Sequence, residues 1–92
     1  MSEASIEMEI LDMADEFIAV ANRLLEENHK DLGYISTAIR YAAARFSAHE
    51  ASYKSSDLAV DKDKAQTWYT DQFNRMLGEN LEQHVEMAKL QH

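Results

Sequence analysis

Arg45 is the residue whose placement invites chemistry. Drawn on a wheel, residues 32–54 put its guanidinium on the apolar side, among Tyr34, Ala38, Tyr41, Ala48 and His49, while Arg40 faces solvent. An unpaired charge buried there costs several kcal/mol, so the group must be paired or must reach water along its own stem. Two readings stay open. Arg45 either anchors an anion or carboxylate ligand, with the Tyr41 hydroxyl beside it, or forms a structural ion pair with an acidic residue of another helix. Asn80 lies on an apolar face beside Phe73, Met76 and Leu77, and Asn22 borders an apolar stripe. An inward amide commonly fixes helix register or oligomeric state, so both read as specificity devices before ligand contacts.

Other chemistry finds little support. A di-metal carboxylate site in a bundle needs two Glu-x-x-His pairs and two further inward carboxylates. The chain has one such spacing, Glu26-x-x-His29, with Glu26 on a charged face. His49-Glu50 and His84-x-Glu86 lack the three- or four-residue spacing that aligns two ligands on one helix face. No metal or other cofactor is expected. The serines fall at helix ends or along the second helix without a strained nucleophile turn, and Gly33 and Gly78 stand alone, so no phosphate-cradling loop is present. The aromatic set around Tyr41, Phe46, Trp68 and Phe73 recurs at helical spacing and reads as core.

The elements that must carry these residues are helices. Prolines are absent, glycines number two, and strong helix formers abound across the 92 residues. Two polar interruptions, Asn28 to Gly33 and Ser55 to Asp57, separate three helices over about residues 5–29, 32–54 and 57–90. The predicted fold is all-α: one domain over 1–92, three long antiparallel helices in a bundle. In helix 1, Ile6, Ile10, Met13, Phe17, Val20 or Ala21, and Leu24 form one stripe, with Leu11, Ala14, Ile18 and Leu25 beside it. Helix 2 is also two-sided, and its alanines allow a neighbour to pack close. In helix 3 the face of Leu58, Ala65, Trp68, Tyr69, Phe73 and Met76 gives way to one on Leu77, Leu81, His84, Val85 and Ala88. The rotation is roughly 100° and falls at Gly78, which predicts a helix that overhangs or kinks there. The pairs Glu26/Lys30, Glu50/Lys54 and Asp71/Arg75, four residues apart, read as surface support.

Seventeen acidic residues against nine Lys plus Arg give a net charge of −8, which repels polyphosphates and anionic lipids, so neither nucleic acid nor a membrane is an expected partner. Cysteine is absent, which excludes disulfides and thiol chemistry. The start, Met1-Ser2-Glu3-Ala4-Ser5, has neither the basic residues nor the apolar block of a secretory signal, and no run reaches the roughly 18 apolar residues of a membrane span. A cytoplasmic setting is the expectation.

Three strings carry a family resemblance: Phe17-Ile18-Ala19-Val20-Ala21-Asn22, Tyr41-Ala42-Ala43-Ala44-Arg45-Phe46, and Phe73-Asn74-Arg75-Met76-Leu77 followed by Asn80-Leu81. With them the chain resembles, over nearly its whole length, a group of short bacterial proteins classed as a domain of unknown function and numbered 3144 in that series. The resemblance implies a helical, bacterial, cytoplasmic protein and transfers no catalytic residue. It falls on Asn22, Tyr41, Arg45 and Asn80, and Gly78 stands where it implies an acidic residue. Two functions follow as expectations. One is a non-enzymatic helical interaction module, associating with itself or with another helical protein, because three two-sided helices offer more apolar surface than one small core covers. The other is a small-molecule or anion-binding protein, or an enzyme, with a pocket around Arg45 and Tyr41.

Overall fold

Asp31 and Asp57 set where the second and third helices begin. In the computed structural model, which describes residues 3–28 and 31–91, Asp31 Oδ1 accepts from the Gly33 amide at 2.7 Å. Asp57 Oδ1 accepts from the Val60 amide at 3.4 Å. Each carboxylate satisfies a backbone N–H that the first turn of a helix leaves without an intrahelical acceptor. The chain accordingly forms α1 (Glu3–Asn28), α2 (Leu32–Lys54) and α3 (Leu58–Leu90). The expected all-α class and three-helix division are observed. The first helix starts two residues earlier than its apolar stripe predicts, with Glu3 in its first turn, where a carboxylate suits the positive end of the helix dipole. His29 and Lys30, and with them the Glu26-x-x-His29 spacing and the Glu26/Lys30 pair, lie outside the described residues. The third helix passes through Gly78 as one unbroken α-helix.

Two compact units divide the chain, Met1–Arg45 and Phe46–His92, with the boundary inside α2. In the first unit the partly covered side chains cluster near the α1–α2 connection: Ala21 is buried, and Leu24, Leu25, Ile35 and Ser36 are half-buried. In the second unit the end of α2 lies beside the start of α3. Ser55 Oγ donates to Asp61 Oδ2 at 2.6 Å and Tyr69 Oη donates to Glu50 Oε1 at 2.7 Å, so contacts move back along α2 as they move forward along α3. The chain doubles back at Ser55–Asp57.

The apolar stripes differ from expectation in one respect. Among the described residues Ala21 is the buried apolar side chain, while Ile10, Met13, Ile18 and Phe17 of α1 remain 51–70 % exposed. Tyr41, Phe46, Trp68 and Phe73, expected in a core, are exposed as well. Helical spacing states which side chains gain by leaving water. It does not state which element covers them.

Candidate functional site

The second unit holds a cleft of about 280 Å³ between the last turns of α2 and the first four of α3, bordered by Glu50, Lys54, Ser55, Leu58, Asp61 and Trp68 among others. Helical geometry assembles its polar wall. Glu50 and Lys54 are four residues apart on α2, and Lys54 Nζ reaches Glu50 Oε2 at 2.8 Å. The other carboxylate oxygen, Oε1, accepts from Tyr69 of α3. Trp68 meets the Tyr69 ring edge-on, with centroids 5.1 Å apart, which favours the positive edge of one ring over the negative face of the other. Below this, Ser55 Oγ accepts from the Asp57 amide at 3.1 Å while donating to Asp61, tying the turn to α3.

Those contacts fix the electrostatics. The hydrogen bond from Lys54, then the one from Tyr69, hold the Glu50 carboxyl below its ordinary pKa of 4.5. The same carboxylate, by accepting from Tyr69, pushes the phenol above its ordinary pKa of 10.0. A carboxylate kept ionised with both oxygens engaged is a poor general base, and a phenol held in its protonated form is a poor nucleophile. The Lys54–Glu50–Tyr69 group is therefore a clasp between two helices. Sequence reasoning had Glu50/Lys54 as a surface pair and Tyr69 as core. Its signal, a Tyr and a Glu nineteen residues apart across a turn, is legible only once the turn at Ser55–Asp57 is known to fold the chain back.

The residues singled out in sequence fall elsewhere. Arg45 and Tyr41 are brought together, one turn apart on α2: the guanidinium carbon lies 4.9 Å from the centre of the Tyr41 ring, a cation–π contact. Tyr41 is 64 % exposed and Arg45 is exposed too, so the charge meets solvent and its own helix's ring where an ion pair to another helix was one expectation. Arg40 faces solvent and donates to Ser36 and Thr37 of its own helix. Asn22 is exposed on α1. Asn80 is exposed on α3, where its Nδ2 donates to the Met76 carbonyl at 2.8 Å. His49 packs its ring near Phe46, centroids 5.9 Å apart. Among the described residues the ion pairs are Arg23–Glu27, Glu50–Lys54 and Glu86–Lys89, so Asp71 and Arg75 do not pair. No group of three or more His, Cys, Asp or Glu among those residues is arranged to hold a metal, and no helix is long and apolar enough to cross a membrane.

Fold and site together define a small all-α protein whose polar contacts clasp helices and whose apolar faces stand open. The chain belongs to the family described as Protein of unknown function (DUF3144), whose model matches residues 10–85. None of the curated proteins and none of the solved structures matches it.

Proposed function

We propose that this protein is a non-enzymatic helical interaction module that completes its apolar core by associating with a second copy of itself. One observation carries the reading: Ala21, at 8 % exposure, is the buried apolar side chain among the described residues, while large apolar side chains on all three helices stand open. Fully burying a Leu, Ile or Phe contributes about 1.5–3 kcal/mol, and a chain of this size has little else to offset the entropy of ordering. Exposed large apolar side chains on this scale mark an association surface.

We place the module in a bacterial cytoplasm on the family resemblance. Sedimentation velocity from about 1 to 100 μM, in the range where interfaces of modest area dissociate, tests the central claim. The expected result is a mass that rises with concentration to a multiple of the 10.6 kDa chain. A monomer throughout, with native helix content, defeats it.

A further inference from the structure

We propose that the second copy docks on the distal half of α3, along residues 73–88, with Asn80 of one copy facing Asn80 of the other across a two-fold axis; this rests on the self-association proposed above. The first argument is that cover from within the unit runs out. Its share of α2 ends at Lys54, nine residues and about 13 Å of helix. On α3 the half-buried residues are Asp61, Ala65, Tyr69 and Gln72, and from Phe73 to Leu90 every residue is exposed.

The exposed segment has a seam of its own. Phe73, Leu77, Asn80, His84 and Met87 alternate at four and three residues, the seven-residue repeat by which two helices pack knobs into holes. On a wheel advancing 100° per residue this seam is turned by roughly 90° from the stripe that α2 covers. It therefore faces a different partner.

Charge at the seam does not oppose a copy of the same chain. The positions beside the seam, Asn74, Met76, Leu81, Gln83 and Ala88, carry no charge, while Arg75, Glu79, Glu82, Glu86 and Lys89 fall on the outer face. Two chains of net charge −8 can meet here without opposing like charges. On α1 the corresponding borders hold Glu7, Glu9 and Glu16, so an α1–α1 contact would set carboxylate against carboxylate.

Asn80 supplies the self-complementarity. Its amide offers one acceptor and two donors, and one N–H is used within its helix on the Met76 carbonyl. In the middle of the seam, where His84 Nδ1 lies 2.9 Å from the Asn80 backbone carbonyl, the remaining donor and acceptor of the side-chain amide are matched by the same amide on a copy. Phe73, Met76, Leu77, Leu81 and Met87 are 43–57 % exposed. At roughly 90 Å² apiece they supply about 450 Å² per copy, well under the ~800 Å² of a standard interface, which describes a weak, concentration-dependent dimer.

The absence of cysteine makes the test clean. A disulfide forms where two Cα atoms come within about 4.4–6.8 Å. Asn80→Cys and, on the outer face, Glu82→Cys are each made in the full chain and oxidised mildly at a concentration where the native protein associates. Asn80→Cys is expected to give covalent dimer at least ten times faster. A Leu77→Lys chain with native helix content is expected to dissociate at least tenfold more readily. Equal cross-linking at both positions, or undiminished association of Leu77→Lys, in a protein that does self-associate, overturns this inference and leaves the wider proposal standing. A native chain that is monomeric at every concentration overturns both.

Discussion

Tyr69 of α3 donates its hydroxyl proton to Glu50 of α2 across 2.7 Å, and Lys54 holds the other oxygen of the same carboxylate at 2.8 Å. This bond joins residues nineteen apart in sequence, whereas the Glu50–Lys54 contact is local to α2. Tyr69→Phe keeps the ring and its edge contact with Trp68 and deletes only the donor. The expected outcome is a lower thermal midpoint with unchanged helix content at low temperature, read by circular dichroism. Lys54→Met, which removes a partner within one helix, is expected to lower the midpoint less.

The same clasp makes stability depend on pH with a defined sign. Glu50 titrates below its ordinary 4.5 because Lys54 and Tyr69 bond its ionised form. A depressed carboxylate pKa gives stability that is present above the unfolded value and is lost as pH falls through the folded one. Tyr69 is shifted the other way, above 10.0, so its contribution is present below that value and lost as pH rises through the folded pKa. Melting curves of native protein and Glu50→Gln are expected to differ most between about pH 5 and 9 and to converge only as pH falls through the depressed folded pKa of Glu50.

Gly78 lies in an exposed stretch of α3, and a Cβ built there meets nothing within 4 Å. A glycine in a helix interior costs roughly 0.5–1 kcal/mol relative to alanine through the backbone entropy it forfeits. Gly78→Ala is therefore expected to stabilise by about that amount in thermal or urea unfolding. It is also expected to leave association unchanged, because position 78 lies outside the Phe73–Met87 seam. A loss of stability would mean that a neighbour absent from the single chain occupies that space.

The helix boundaries were legible in the sequence because local chemistry sets them. Asp31 and Asp57 are short acceptors placed before apolar periodic runs, and both cap the helices expected to follow. Their strength can be measured: Asp57→Ala is expected to cost about 1 kcal/mol in unfolding free energy. The partner of each apolar face was not legible. Phe17 and Trp68 repeat at core spacing, yet they stand 70 % and 56 % exposed, since a stripe records a need for burial and is silent on the surface that meets it. Arg45 reads in sequence as a charge on an apolar face that needs company, whereas in the structure it is exposed. The company is Tyr41, one turn away on the same helix, and the wheel had placed the two side by side without distinguishing a ring contact from a distant carboxylate.

Phe17 separates a core residue from an interface residue by where its loss is felt. Truncating a buried Phe costs about 3–5 kcal/mol in any state of assembly. At 70 % exposure, Phe17→Ser should instead change the stability of the dissociated chain by no more than about 0.5 kcal/mol, the range of surface substitutions. If α1 contributes to the assembly, the cost appears only there. The native protein is then expected to melt at a temperature that rises with its concentration, because association favours the folded state by mass action. In Phe17→Ser that rise is expected to be shallower, while the two proteins melt together when diluted below the dissociation range. A loss of stability of the same size at every concentration would place Phe17 in the core of a single chain and remove α1 from the association surface.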